Sequence, residues 1–223
     1  LVIGADGVNS VIRDQICGAV PATYTGDACW RVTIPTDQLP PNFMDQVMSV
    51  WLGPGLHAVC YYIRGGALLN FVGAVETDNI GEESWTAKFP WETFKADFAG
   101  WHQDVQTIID LADKDACYRW ALFRRPVVEG WSTARATILG DAAHAQGAAM
   151  AIEDGPVLAR ALDQGAVLAD SLALYERNRR ARATRVVDQS NDNRRLFHLT
   201  SEDHIRAAFA KRDEGGDRNA WLY

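Results

Sequence analysis

The 223-residue sequence is short of cysteine, of positive charge and of long apolar runs. Its four cysteines, Cys17, Cys29, Cys60 and Cys117, form no CxxC pair and no metal-like spacing. No metal centre is therefore expected, and a reducing, cytoplasmic setting fits better than a secreted one. Lys and Arg total 22 against 29 Asp and Glu, a formal net charge of −7 that repels a phosphate backbone, so nucleic acid is not an expected partner. No apolar run reaches the length of a membrane span and no signal-peptide pattern opens the chain, which removes the membrane as a partner. Internal repeats and low-complexity segments are absent. An initiating Met is also missing: Leu1 stands inside an apolar strand pattern and Tyr223 follows an apolar run, so the chain reads as a piece of something longer. What is present, 48% apolar and 23% charged residues, suits a soluble globular chain with one large domain or two small ones.

Leu1-Val2-Ile3, closed by Gly4-Ala5-Asp6-Gly7 and followed by Val8, Val11, Ile12 and Ile16 at helical spacing, predicts strand, tight turn and helix. Four strands separated by Pro or Gly turns follow, over 30–34, 47–52, 57–63 and 68–75, forming a meander of mostly antiparallel sheet. Residues 90–113 predict one amphipathic helix, whose aromatic stripe of Trp91, Phe94, Phe98 and Trp101 belongs to a core. Strand 136–139, ended by Gly140-Asp141, and helix 147–162 restore α/β character; Pro156 either kinks that helix or sits in the first turn of one beginning near Glu153. A further helix is expected from about Ser171 to Leu196. This order gives an α/β fold, α+β overall, in which a nucleotide-binding domain is interrupted by a sheet domain.

Two strand-to-helix turns with Gly and Asp, separated by the whole sheet, suit a dinucleotide. Glycine admits close backbone approach, a carboxylate accepts from ribose or ribityl hydroxyls, and a helix N-terminus stabilises negative charge. The bland alternative makes Asp6 and Asp141 simple helix caps. In the sheet, His57, Val59 and Tyr61 share one strand face and form a plausible wall of an aromatic pocket. A neutral histidine on such a face could serve as general base. The alternative is a half-buried histidine beside an ordinary strand tyrosine. His144 is as readily structural as catalytic, and Trp51 and Phe71 suit either a pocket or a core. His102, His198 and His204 have no identifiable partner. The arginine cluster from Arg177 to Arg195 is interleaved with Glu176, Asp188 and Asp192, and reads as a solvated face or one facing the rest of a larger domain.

The turns extend into longer motifs, GADGxxSxxR over 4–13 and GDAAH followed by QGxxxAIEDG over 140–155. Together they resemble the single-component, group A FAD-dependent aromatic hydroxylases, nearest to salicylate hydroxylase, 3-hydroxybenzoate 6-hydroxylase and 6-hydroxynicotinate 3-monooxygenase. Supporting matches include Tyr24-Thr25-Gly26 before Trp30-Arg31, Asn70-Phe71-Val72, Arg125-Pro126 before Trp131, Leu174-Tyr175-Glu176 and the terminal Trp221-Leu222-Tyr223. The resemblance implies FAD as cofactor, NADH or NADPH as reductant, O2 as co-substrate and a small phenolic or aromatic acid as substrate. Hydroxylation would pass through a flavin C4a-hydroperoxide, in a monomer or homodimer. It also implies a partial FAD-binding, Rossmann-like domain at 1–28 and 115–170, a substrate sheet domain at 29–114 and C-terminal helices at 171–223. Asp6, Gly7 and Arg13 would lie near the pyrophosphate and the nicotinamide path, and Gly140 with Asp141 at the ribityl chain. Gly147 and Ala148 would present N–H groups to the pyrimidine end of the flavin. His57 and Tyr61 match an HxxxY pair that serves the substrate in one member of the family.

Three departures stand out. The family's opening GxGxxG unit is absent, so this chain alone is not expected to bind FAD tightly. Roughly six residues, one a proline, are missing between Ala145 and Gln146 relative to the family pattern. Arg124 stands where an acidic residue often precedes Arg-Pro. Other reactions on the same fold, such as halogenation or reduction, and an inactive module without flavin are the competing expectations.

Overall fold

The strand patterns at the two ends of the inserted sheet pair with each other rather than with the strands between them. The computed structural model describes residues 1–78, 86–126, 128–145 and 147–214; the expected junction at Gln146 and the terminal Trp221-Leu222-Tyr223 lie outside these. In chain order the elements are β1 (Val2–Gly4), α1 (Val11–Cys17), β2 (Thr23–Pro35), β3 (Ser49–Gly53), β4 (Leu56–Ile63), β5 (Leu68–Glu76), α2 (Trp91–Asp97), α3 (Gln103–Leu111), β6 (Tyr118–Arg124), β7 (Ala136–Ile138), α4 (Ala148–Gln164), α5 (Leu168–Phe197) and α6 (Glu202–Glu214). They divide into two units, Leu1–Thr23 with Phe123–Asn193, and Tyr24–Leu122 with Arg194–Tyr223. Among the described residues, no helix is long and apolar enough to cross a membrane.

In the first unit β1 and β7 are parallel, with Val2 opposite Ala136 and Gly4 opposite Ile138. A parallel pair needs a long crossover, and here the crossover contains the Tyr24–Leu122 part of the second unit. The core beneath this pair holds Trp131, Ile138, Met150, Leu158, Leu172 and Tyr175. Tyr175 donates its hydroxyl to the Ile138 carbonyl at 3.1 Å, and Glu176 accepts from the Gly130 and Ser132 amides, both at 3.0 Å. α4 runs unbroken from Ala148, so Pro156 is interior to it, and its missing N–H leaves the carbonyl of the exposed Ile152 without a helical donor.

The second unit is a five-stranded sheet of order β3-β4-β5-β2-β6, antiparallel at β3/β4, β4/β5 and β5/β2. The expected simple meander holds only for β3-β4-β5; β2 lies beyond β5, with Trp30 opposite Gly73. β6 escapes the sequence pattern because Arg119 occupies one of its buried positions, where its guanidinium lies over the Trp30 ring at 5.4 Å and the Phe89 ring at 5.1 Å.

One sheet face, with Trp30, Val32, Ile34, Ala58, Cys60 and Phe71, is sealed by Phe94 and Phe98 and by Val105, Ile108 and Ile109. Phe71, Phe94 and Phe98 meet edge to face at 5.3, 5.5 and 5.7 Å. Each such ring contributes roughly 1.5–3 kcal/mol by leaving water. The single helix expected over 90–113 is two helices, α2 and α3, because Gly100 adopts φ +76° between them and His102 restarts the second by accepting from the Asp104 amide at 3.2 Å.

Candidate active site

The turn after β7 is built around Asp154. Its carboxylate is fully buried and accepts from the Gly140 amide at 2.7 Å, His144 Nε2 at 2.8 Å and Arg179 Nε at 2.6 Å. Burial opposes its ionisation, but His144 and then the Gly140 amide outweigh it, so the Asp154 carboxyl is held below its ordinary value. Arg179 also donates to Glu153 at 2.8 Å and to the Met150 carbonyl at 3.3 Å. Arg182 grips Glu153 through two contacts of 2.7 Å and, with Arg179, draws its carboxyl down to about 2. The two acids of the AIEDG motif thus brace the GDAAH turn through α5 arginines. Arg179 and Arg182 are therefore not part of a solvated face. Arg177 and Arg180, with Arg124, Arg125, Glu129 and Asp188, line an open cleft of this unit. His144 is buried against Trp131, and its Nδ1 has no partner among the described residues.

The expected flavin-binding residues divide into two groups. Gly140 has φ +60° and Gly147 φ +87°, backbone that only glycine adopts cheaply. Gly147 and Ala148 are exposed at an α4 N-terminus that no side chain caps, and a Cβ on Gly147 would meet nothing within 4 Å. Asp141 is half-buried in the same turn. Asp6, by contrast, is spent locally: it accepts from the Ser10 hydroxyl and from the Val11 and Ile12 amides at 2.9 and 3.3 Å. The Ser10 hydroxyl leads in holding its carboxyl below the ordinary value. Gly7 turns the chain with φ +79°, and the buried Arg13 bonds the Val8 carbonyl at 3.1 Å and Asp14 at 3.3 Å.

In the second unit, Ala58, Cys60 and Tyr62 face the sealed core, so His57, Val59 and Tyr61 share the opposite face. Trp51 packs on the core side and Phe71 lies within the core, so neither lines that face. His57 Nδ1 lies 2.7 Å from His198 Nε2, and His198 Nδ1 lies 2.9 Å from Glu76 Oε1. Arg194 donates to Asp27, and to Glu76 at 3.3 Å. Burial, then the neighbouring His198, lowers His57 to about 4. Tyr61, at 36% exposure, stands free of this cluster. Asp27, Glu76 and His198 are the converging trio of metal-type donors among the described residues, and Arg194 already supplies a cation to both carboxylates. Neither Arg179 nor His198 was expected here. The acids at 153 and 154 and the arginines at 179 and 182 offered a charge match, whereas nothing local to His198 points 141 residues back to His57.

The model of the FAD binding domain matches residues 1–190. A 3-amino-4-hydroxybenzoate 2-monooxygenase of Streptomyces platensis is 36% identical over 234 residues, covering 100% of this chain and 58% of the relative. A 3-hydroxybenzoate 6-hydroxylase of Polaromonas naphthalenivorans is 36% identical over 212 residues, covering 92% and 52%. The chain therefore spans little more than half the length of these curated relatives. Among solved structures, a salicylate hydroxylase substrate complex superposes with a TM-score of 0.83 at 22% identity, over 99% of this chain and 60% of that one.

Proposed function

The chain belongs to the FAD binding domain family, and from that premise we propose that it is the larger part of an FAD-dependent monooxygenase that hydroxylates a small phenolic acid, using NADH or NADPH and O2. The relatives' names share one chemical denominator, an aromatic ring bearing a hydroxyl and a carboxylate. The fit to FAD rests on the open, uncapped α4 N-terminus beside Gly147. Gly147 and Ala148 would hold the flavin by their amides and Asp141 by its carboxylate, while Asp6, Gly7 and Arg13 fix the shape of the neighbouring turn. FAD, reduced by the nicotinamide donor, supplies the activation of O2.

The protein's own task is to bind the ring, exclude water and remove the phenolic proton, because a phenolate is the far better nucleophile. With a pKa of about 10, only about one phenol in a thousand is ionised at pH 7. His57 carries this reading: a neutral imidazole on the sheet face that also bears Tyr61, its Nε2 unengaged by any described residue. Tyr61 would orient the substrate. Direct transfer from a phenol near 10 to an imidazole at about 4 is opposed by about a millionfold, so His57 needs help to keep the proton.

The test uses the full-length protein with hydroxybenzoates: substrate-stimulated NAD(P)H oxidation, O2 uptake and a hydroxylated product. Peroxide formation without product, or a preparation that never holds flavin, would sink the proposal. Replacing His57 by Ala should lower turnover while leaving flavin content intact.

A further inference from the structure

Behind His57 stands a chain of groups that the base assignment alone does not use. The Glu76 carboxylate can only accept, so the His198 nitrogen 2.9 Å from it, Nδ1, carries the hydrogen. Neutral His198 then presents a lone pair at Nε2, and the contact of 2.7 Å requires the hydrogen to sit on His57 Nδ1. His57 is left with its lone pair at Nε2, the form a base needs. Phe197 lies against the imidazole at 5.2 Å, centroid to centroid, and limits its rotation.

We propose that Glu76 and His198 are positioning residues that set the tautomer of His57 and take over the proton it removes from the substrate hydroxyl. As the substrate O–H bond breaks, an N–H bond forms at His57 Nε2, and the Nδ1 hydrogen of His57 passes to His198 Nε2. His198 becomes an imidazolium held by Glu76, and the proton returns by the same route to the product. Charge favours this. Around the pair stand two carboxylates, Asp27 and Glu76, and one guanidinium, Arg194; the set is one negative charge in excess and neutral after gaining a proton. His198 Nδ1 is also 4.0 Å from Asp27. Nearby Tyr24 and Cys29, both pushed up by burial, add no charge, and the low value of His57 fits a proton that does not stay on it.

The proposal rests on His57 being the base, and the test separates the two. In the full-length flavoprotein labelled with 15N-histidine, His57 should show the neutral Nδ1–H tautomer; an Nε2–H tautomer overturns the relay. A chromophoric hydroxynitrobenzoate then reports bound phenolate by its absorbance. His198→Phe and Glu76→Gln should each cut the phenolate-to-phenol ratio by at least about tenfold. His198→Gln, whose amide oxygen can still accept from His57, should keep the tautomer and lose the ratio. An unchanged ratio in both His198→Phe and Glu76→Gln, with loss in His57→Ala, overturns the relay and leaves the base. An unchanged ratio in His57→Ala overturns the base and the relay with it.

Discussion

Replacing Arg179 by Met removes a guanidinium that is only 3% exposed and leaves a chain of similar length in its place. Asp154 then keeps the Gly140 amide and His144 but loses its full compensating charge while fully buried. Breaking a buried pair from one side costs about 3–5 kcal/mol, because the surviving charge stays desolvated. Glu153 serves as the internal control. It is 37% exposed in its side chain and also bound to Arg182, so Glu153→Gln should cost under about 1 kcal/mol, the range of solvent-screened pairs. The assay is urea unfolding followed by tryptophan fluorescence. Trp131 is fully buried and packs 5.7 Å from His144, centroid to centroid, so it reports on this turn. A shifted midpoint with an unchanged slope assigns the loss to stability rather than to a changed unfolded state. Because the same hub holds the Gly140 turn, FAD retention should fall in parallel. A cost below about 1 kcal/mol for Arg179→Met, or equal costs for the two variants, would refute the reasoning.

Gly73→Ala should destabilise the sheet unit by about 1–3 kcal/mol in the same urea assay, since the added Cβ would lie 2.5 Å from Phe98 and 2.8 Å from Phe71; a neutral effect would mean the aromatic cluster is looser than described. The depressed His57 makes the unfolded chain bind the extra proton between the folded value near 4 and the unfolded value near 6.5. Stability present above 6.5 is therefore lost as pH falls through that window, by up to about 3 kcal/mol, and His57→Gln should flatten the slope. Burial pushes up all four cysteine thiols, but Cys29, Cys60 and Cys117 are buried whereas Cys17 is half-buried, so a thiol reagent should reach Cys17 first; earlier modification of Cys60 would contradict its burial.

The sheet strands were legible in the sequence because β3, β4 and β5 alternate faces between Gly and Pro turns, and the two Gly-Asp turns because little else suits that geometry. β6 was hidden by Arg119, whose charge is absorbed by two aromatic rings rather than by solvent. The break at Gly100 was masked by apolar spacing that continues in phase on both sides of it. In the site, His57 and Tyr61 fell on one face from period two alone. The residues behind them did not, because Asp27, Glu76 and His198 come from β2, β5 and the end of α5, and sequence distance carries no trace of such convergence. Arg179 shows the opposite failure: a charge run normally means solvent, and only the buried carboxylate of Asp154 makes it interior.

The sheet turns one face to a sealed aromatic core and the other to His57, Val59 and Tyr61, and these belong to alternate positions of the same strand. Two selective pressures are thereby written on interleaved residues without interfering. Ala58, Cys60 and Gly73 answer to packing and tolerate little. Val59, Tyr61 and the cross-strand neighbours Val50 and Val72 are only partly buried or exposed and can be exchanged with small effect on the core, whereas Asn70, opposite Tyr61, is fully buried and accepts from Arg31. The exposed face can therefore change its chemistry without relearning how to fold, and a library confined to its partly buried positions is the economical place to alter what the sheet contacts.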